Sequence, residues 1–316
     1  MIQVKQPTFK DRLRETMKLM GRYWQLYLMV LPPIVTMFIW HYIPLYGVII
    51  AFKDYQSGLG ILQSPWLGLS HFEWFFNRPS FTDILWNTIR ISLYSFATFP
   101  CSIIFALMIN ELTSKKFQKV VQMISYMPHF ISTVVVCAMV HMFFNASTGI
   151  VNKAIVALGG EAVEFLYRTD CFDHLYIWSG VWQGLGWGTI IYLANLANVS
   201  PDLIEAARID GATRWDVVIH VNIPTILPTI VIMLILRVGS ILGVGFEKVF
   251  LLQTQRNISV SRVISTYVYE LSLGSGGSTV YWDTSAAVGL FNSLVNLTLI
   301  IITNTIARRV SEVTLW

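Results

Sequence analysis

Charged residues are scarce in this chain of 316 residues: Asp, Glu, Lys and Arg together make up 13% of the sequence, whereas 54% is hydrophobic. A soluble globular domain carries about 25% charged residues. With a mean hydropathy of +0.58, the composition excludes an ordinary soluble enzyme or binding module. It indicates a membrane protein.

Cysteine and catalytic motifs are equally scarce. Cys101 and Cys137 lie in apolar stretches and Cys171 lies in a more polar segment, so we predict neither a disulfide framework nor a metal site. No Walker A sequence, HExxH, CxxC or GxSxG occurs, and we find no nucleophile with a base or paired acids. We therefore expect no cofactor in this chain and no enzyme activity, including ATP hydrolysis and intramembrane catalysis.

Long uncharged segments are what the sequence does contain. Six of them lack Asp, Glu, Lys and Arg and have at least 20 residues each, enough to cross a hydrocarbon core of about 30 Å as a helix. They are Tyr23–Phe52, Ile91–Asn110, Val120–Asn152, His174–Pro201, Val217–Leu236 and Thr284–Ala307. We therefore predict an all-α membrane protein with six transmembrane helices.

Proline and glycine refine these predictions. Pro32, Pro33 and Pro44 predict a kinked first span. The fourth span is expected from Tyr176 to about Leu196 and is rich in glycine and tryptophan, which permits close helix packing. The fifth span is expected from about Ile226 to Phe246.

Basic residues predict the orientation of the spans. Thirteen lie in the segments on the side of the N-terminus and seven on the other side, with Arg90 and Arg237 at or within spans. Both termini and the loop around Glu205 are therefore expected in the cytoplasm. This asymmetry accounts for the net charge of +4 and gives no reason to expect a nucleic-acid partner.

The chain is expected to have three parts. Residues 1–22 form a cytoplasmic segment, either an interfacial helix over Phe9–Arg22 or an unstructured basic tail. Residues 23–307 form the six-span domain, with a cytoplasmic loop at 198–224. Residues 308–316 form a cytoplasmic tail.

The loop between the fourth and fifth spans has the residues of two short helices around a turn. Ser200 is a good N-cap, Pro201 suits the first helical position, and Asp202 and Glu205 place negative charge near the positive helix end. Gly211 then supplies a break in a left-handed conformation. The sequence therefore predicts a defined shape for this loop.

A second helix is expected directly after this break. Thr213 with Asp216 three residues later resembles a capping box with a shorter acid than usual, and the helix is predicted to end before Pro224. An ordinary amphipathic surface loop is the alternative interpretation. So defined a shape favours the interpretation that the loop is a surface to which a partner protein binds.

The same loop carries a family signature. Glu205-Ala206-Ala207, Gly211 and Val221-x-Ile223-Pro224 resemble the E-A-A-x-x-x-G-x(9)-I-x-L-P pattern of permease subunits in binding-protein-dependent ABC importers. Val and Ile replace the Ile and Leu of that pattern. The resemblance implies that this loop is the coupling helix that docks on a separate ATPase. The implied coupling residues are Glu205, Ala206, Ala207, Asp210, Gly211 and Pro224.

The resemblance covers most of the chain, from about Trp24 to Trp316. The stretches 236–252 and 286–316 are similar to permeases that import oligosaccharides and polysaccharide fragments. It implies a type I ABC importer permease fold in the bacterial cytoplasmic (inner) membrane. The implied partners are a second homologous permease, two ABC ATPase subunits that bind ATP and Mg, an extracytoplasmic solute-binding protein, the oligosaccharide and membrane lipid.

A secondary transporter or channel for a small polar solute is the alternative function. Such a protein would need acidic residues within its spans, and none lies well inside any predicted span. His129 and His141 lie in the third span as candidate proton relays, with hydrogen bonding to a neighbouring backbone group as the alternative. The sequence therefore favours the importer subunit.

Six residues are candidates for the substrate pathway. Arg237 is the one charged residue well inside a predicted span, near mid-membrane, and would pair with an acidic sugar, pair with Glu247, or snorkel to the interface. Aromatic rings stack on sugar faces and amides bond hydroxyl groups, although helix packing is the alternative for each such residue. The other five candidates are Trp182, Trp187, Tyr192, Asn292 and Asn296.

Overall fold

The computed structural model describes residues 17–239, 242–274 and 280–310. Across these residues the structure is helical, and the one β pairing among them is an isolated antiparallel bridge between Lys53 and Trp66. The predicted all-α class is therefore confirmed. Of the predicted segment Phe9–Arg22, residues up to 16 lie outside the described residues and 17–22 are helical; residues 311–316 of the tail also lie outside.

After residues 17–22, sixteen α-helices are described, and they are numbered in chain order. They are α1 (Trp24–Met37), α2 (Gly60–Gln63), α3 (Ser70–Phe76), α4 (Ser80–Ala97), α5 (Phe99–Asn110), α6 (Lys115–Tyr126), α7 (Thr133–Phe143), α8 (Ile150–Ala157), α9 (Phe172–Leu196), α10 (Pro201–Ile209), α11 (Arg214–Val217), α12 (Ile223–Gly239), α13 (Phe246–Leu252), α14 (Ile258–Ser261), α15 (Ile264–Leu273) and α16 (Trp282–Val310).

Four described helical segments are long and apolar enough to cross a membrane: Trp24–Phe52, Ser80–Asn110, Arg214–Gly239 and Trp282–Ile306. The bent pair of α6 and α7 makes a fifth if it counts as one span. Helix α9 has 25 residues, but its glycines and polar side chains keep it out of that set. The described part of the chain thus has four or five candidate spans rather than the six that absence of charge predicts.

The third predicted span is not one straight helix. A 3-10 turn at Met127–Phe130 follows α6, and the axis then turns by 96° before α7 begins. Pro128 opens this turn, and the Ser132 hydroxyl accepts a hydrogen bond from Val135 N (3.4 Å) to cap the new helix. Proline and a strong N-cap together explain the break.

The first span is irregular, as its prolines predict. It passes from α1, which contains Pro32 and Pro33, through a π-helical turn at Phe38–Tyr42 into a 3-10 segment at Ile43–Phe52. Pro44 lies at the start of the 3-10 segment. Changes of helical pitch accommodate the missing backbone donors of proline.

The fifth span differs from its prediction at both ends. Helix α11, a π-helical turn at Val218–Asn222 and α12 form one continuous helix, so the second loop helix does not end before Pro224. In the π turn Ile223 N donates to Val218 O, five residues back. The wider turn precedes the proline, whose ring would clash in an ordinary α-helical turn. At the other end the helix is described to Gly239, and residues 242–245 are not helical, so it does not reach the predicted Phe246.

Helix α9 lies at the centre of the molecule and packs against α4, α5, α6, α7, α12 and α13. Tyr192 and Leu196 on α9 form a buried cluster with Ala106 of α5 and Ile226 of α12. At Gly186 the approach to α6 is so close that a Cβ atom would lie 2.2 Å from the Ser125 carbonyl oxygen. Glycine at this position is what lets the two backbones touch.

An ion pair ties α4 to the start of α9. Arg90 Nε lies 2.7 Å from Asp173 Oδ2, and Arg90 Nη2 donates to the Val260 carbonyl at 2.8 Å. Both side chains are mostly covered, at 29% and 17% exposure. Arg90 therefore has an acid partner on the neighbouring helix and braces the end of α9 that borders the site.

Candidate functional site

The loop between α9 and α12 is built as predicted. Ser200 Oγ accepts a hydrogen bond from Asp202 N (3.3 Å) and caps α10, with Pro201 at its first position. At the other end Gly211 has φ +85°. Ala212 N donates to Ala207 O (2.9 Å), and Gly211 N donates to Arg208 O (3.1 Å).

These two bonds are the Schellman arrangement, which closes a helix through a left-handed residue. Gly211 is required because a side chain in this conformation is strained. The carbonyl of Ala207 takes part in the closure, and Asp210 is the C-cap residue. The glycine of the family signature therefore has a structural reason that is local to the loop.

The predicted capping box of the second helix is present. Asp216 N donates to Thr213 Oγ1 (3.3 Å), while Thr213 N donates to Asp216 Oδ2 (2.8 Å). The Thr213 hydroxyl also donates to the same carboxylate oxygen (2.5 Å). One residue, Ala212, separates the glycine turn from this box. The loop is therefore a fixed helix–turn–helix unit.

The outer surface of this unit combines charge with large apolar side chains. Glu205 is exposed, and the first turn of α10 contains Asp202 as its only acid. Glu205 therefore lies past the reach of the helix dipole, which weakens the dipole interpretation. Ile209 and Trp215 are 86% and 75% exposed, and the sequence prediction singled out neither.

The base of the loop is attached to the second span. Asn222, in the π turn, is buried at 1% exposure, and its Nδ2 donates to Glu111 Oε1 at 3.3 Å. Glu111 is the C-cap residue of α5. The loop is thus anchored to two spans. Pro224 follows two residues later as an exposed residue of α12, inside the helix rather than at its end.

A cavity of about 710 Å³ lies between α4, α5, α7, α9, α12 and α13. A second space of about 180 Å³ adjoins it and shares Ser95, Tyr176 and Arg237. Ligand pockets commonly measure 300–1,000 Å³. The larger cavity therefore has the size of a binding or transit site for a small molecule.

Two basic side chains line this cavity. Arg237 Nη2 donates to Ser95 Oγ (2.6 Å) and to Ser95 O (3.2 Å). Lys248 Nζ lies 5.1 Å from the centre of the Tyr176 ring, and Glu247 also lines the cavity. The positive side chains come from α12 and α13, which are separate in sequence. The sequence prediction identified Arg237 but missed Lys248.

Arg237 does not lie where the sequence placed it. Because α12 is described to Gly239 and residues 242–245 are not helical, Arg237 lies near the end of the helix, where a cation is favourable, and not in the middle of a longer span. Its guanidinium group is exposed to the cavity and bonded to Ser95. Arg237 therefore lies at the boundary between the two cavities and not at the centre of a span.

Glycines give one wall of the cavity its shape. Gly180, Gly184 and Gly188 recur every four residues on α9 and all line the cavity. A Cβ at Gly180 would lie 3.0 Å from Lys248 Nζ, whereas one at Gly184 would meet nothing within 4 Å. This face of α9 leaves the backbone open to the cavity. The spacing was visible in the sequence but was interpreted there as helix packing only.

The other predicted pathway residues are not all in one place. Tyr192 lines the cavity although only 3% of its surface is exposed. Trp182 lines a separate apolar groove of about 330 Å³ beside α7. Trp187 stacks on His129 with ring centres 4.3 Å apart. Trp187 therefore has a ring partner within the chain and does not line the cavity.

The two asparagines of α16 lie away from the cavity lining. Asn296 Oδ1 accepts a hydrogen bond from Leu242 N at 3.3 Å. Asn292 Oδ1 is buried without a hydrogen-bond partner among the described residues.

The histidine at 141, a candidate proton relay, has a backbone partner. His141 Nε2 is 3.0 Å from the Leu251 carbonyl oxygen, which is the hydrogen bond that the alternative to a proton relay required.

These features define a helical membrane protein with a helix–turn–helix loop of fixed shape and a cavity lined by basic side chains. Residues 99–312 match the family described as "Binding-protein-dependent transport system inner membrane component". The chain is 41% identical over 288 residues to the polygalacturonan/rhamnogalacturonan transport system permease protein YteP of Bacillus subtilis (strain 168). This match covers 91% of this chain and 88% of that protein.

Solved structures give the same result. The fold matches a crystal structure of a bacterial ABC transporter involved in the import of the acidic polysaccharide alginate, with a TM-score of 0.85 and 39% identity over 94% of this chain and 99% of that one. It matches the bacterial alginate ABC transporter in complex with alginate pentasaccharide-bound periplasmic protein equally well, with a TM-score of 0.85, 38% identity and the same coverage.

The chain therefore belongs to the inner-membrane permease components of binding-protein-dependent ABC transport systems, among those of the carbohydrate-uptake type. It is a multi-pass membrane subunit for transport and not an enzyme. Family membership decides in favour of the importer subunit over the secondary transporter, the channel and the intramembrane enzyme.

Proposed function

We propose that this permease translocates acidic oligosaccharides through the cavity between α9 and α12. The observation that carries the proposal is the pair of basic side chains, Arg237 and Lys248, on a cavity of about 710 Å³. Transporters named for alginate and for polygalacturonan are among the relatives of the chain, and they support the same cargo class.

The chemistry of the cavity suits uronate groups. Ser95 holds the Arg237 guanidinium group through two hydrogen bonds from one nitrogen, and the planar, permanently charged guanidinium matches the geometry of a carboxylate. The open backbone at Gly184 gives a sugar ring room beside the basic groups. Glu247 on the same wall would repel a carboxylate, so binding is expected to be weak enough to permit release.

Transport by the assembled importer tests the cargo. Arg237→Gln and Lys248→Gln each remove one charge, and exposed Lys153→Gln is the matched control. A hydrogen bond to a charged group contributes about 1.5–3 kcal/mol, so we expect uptake of an acidic oligosaccharide to fall roughly 10- to 150-fold at subsaturating cargo. Uptake of the same oligosaccharide with its carboxyl groups reduced to alcohols should change little. Equal loss for both cargoes in an intact complex would refute the assignment.

We further propose that the loop at 198–224 couples the permease to a separate ATPase that binds ATP and Mg. Glu205, Ala206, Asp210 and the exposed apolar residues of α10 and α11 form the contact surface, while Gly211 sets the angle between the helices. A rigid unit of this kind transmits displacement without absorbing it. ATP binding by the ATPase would thereby switch the cavity between inward-open and outward-open states.

Coupling is tested on the same complex. Glu205→Lys reverses a charge on the contact surface, and Gly211→Val forces a branched side chain into φ +85°. We expect both to reduce ATPase stimulation by the loaded binding protein, with the permease still inserted in the membrane. Lys18→Glu, a charge reversal at an exposed residue outside the loop, is the control. Full stimulation in both loop variants would show that another segment is the coupling element.

The remaining parts of the assembly follow from the same reasoning. We propose six spans in the cytoplasmic membrane, with α9 as the span that hydropathy does not reveal and with both termini inside. The assembly would contain a second homologous permease, two ATPase subunits and an extracytoplasmic solute-binding protein. The charge asymmetry of the sequence and the central position of α9 support this arrangement.

A further inference from the structure

Helix α6 has one covered face and one open face. On the covered face, the Ser125 carbonyl lies against Gly186 of α9 so closely that no side chain fits there. At its start, Ser114 Oγ accepts a hydrogen bond from Phe117 N (3.3 Å). The rotation of α6 about its axis is therefore fixed, and so is the set of residues on its open face.

The open face carries a column of one lysine and four apolar residues. Lys116, Val120, Met123, Met127 and Phe130 are spaced by four, three, four and three residues. The first three lie on α6 and the last two in the 3-10 turn that follows it, where residues three apart are eclipsed, so all five form one row. Lys116 is exposed, and the four apolar side chains are 44%, 60%, 61% and 76% exposed in chain order. The row has a charged end and an uncharged end.

The positive charge at the Lys116 end of this column has no acidic counterpart. Lys115 and Lys119 flank Lys116, and the sequence has no Asp or Glu from Leu112 to Gly160. Among the described residues, the five ion pairs include none of these three lysines. The positive cluster is therefore available to an anionic partner.

The length of the column matches one leaflet of a bilayer. Lys116 and Met127 are eleven residues apart, which is roughly 16 Å at 1.5 Å per residue, or about half of a hydrocarbon core of about 30 Å. An acidic protein partner would satisfy the lysines and leave the apolar run unexplained. A neutral lipid would satisfy only the apolar run.

We propose that this column binds one anionic phospholipid. The headgroup phosphate pairs with Lys116 and Lys119, and an acyl chain lies along Met123 and Met127. The site is separate from the cavity and from the docking loop, and it does not depend on the identity of the cargo.

Photolabelling of the assembled transporter in lipid nanodiscs tests the site. The probe is phosphatidylglycerol with a diazirine in its acyl chain, and the control probe is phosphatidylcholine with the same chain. We expect peptide mapping to find the phosphatidylglycerol label on Met123 and Met127 of the wild type. Since a lysine near the surface contributes about 1 kcal/mol, Lys116→Gln with Lys119→Gln should weaken labelling at these residues roughly thirty-fold.

A matched variant separates a site from diffuse attraction. Lys18→Gln with Arg22→Gln removes the same charge at exposed positions before α1 and should leave labelling of Met123 and Met127 unchanged. Equal labelling by the two probes, labels only at other segments, or equal loss in both double variants would each overturn the proposal. The positions labelled in the wild-type transporter already test the site, so the test does not depend on whether a substituted chain assembles.

Discussion

Gly186→Ala should destabilise the protein through a clash between two backbones. The added Cβ would lie 2.2 Å from the Ser125 carbonyl oxygen and 2.4 Å from its carbonyl carbon, so α6 and α9 must separate by roughly 1 Å to restore ordinary contact. Overpacking of this kind costs about 1–3 kcal/mol. At about 2–4 °C per kcal/mol for a chain of this size, the Tm should fall by roughly 2–12 °C.

Two neighbouring glycines of α9 supply a graded series for this prediction. A Cβ at Gly188 would meet the Ser102 hydroxyl oxygen at 2.6 Å, which can rotate away, and one at Gly184 would meet nothing within 4 Å. Thermal unfolding in one detergent should therefore rank Gly186→Ala lowest, Gly188→Ala next and Gly184→Ala at or above the wild type, since alanine favours a helix by about 1 kcal/mol over glycine. Equal Tm values for the substitutions at Gly186 and Gly184 would refute the packing argument.

Three further outcomes are expected. In a chain whose three cysteines are replaced, a membrane-impermeant thiol reagent applied to intact cells should label Ala162→Cys but not Ala212→Cys; the reverse would overturn the proposed orientation. Asp216→Ala removes one half of the capping box, worth about 1 kcal/mol, and should raise amide exchange at the start of α11 roughly five-fold; unchanged exchange would show that the box adds no stability. A double-mutant cycle of Arg90→Gln and Asp173→Asn should give a coupling of about 1–3 kcal/mol in thermal unfolding; additive effects would show that the ion pair is not a brace.

The docking loop was predictable because its geometry is local. Ser200, Gly211, Thr213 and Asp216 act through hydrogen bonds to residues at most three positions away or through their own backbone angles. Such preferences belong to the sequence and need no tertiary contact. The exposure of Trp215 was not predictable, because it depends on which face of α11 the rest of the fold covers.

The cavity was only partly predictable because it depends on where helices stop. Uncharged residues continue past Gly239, so the sequence placed Arg237 in the middle of a span. The chain is no longer helical at residues 242–245, and Lys248 returns to the same cavity from α13. Hydropathy records the length of an apolar run and not its path. The bend after Pro128 escaped the prediction for the same reason.

The continuous helix from Arg214 to Gly239 connects the loop at 198–224 directly to the cavity. Arg237 is 23 residues from Arg214, a distance of roughly 34 Å along the axis. A tilt of about 5° at the loop therefore moves the far end by roughly 3 Å, the length of one hydrogen bond. If the loop couples to an ATPase as proposed, a motion of that size is enough to change the contact between Arg237 and Ser95 in the cavity.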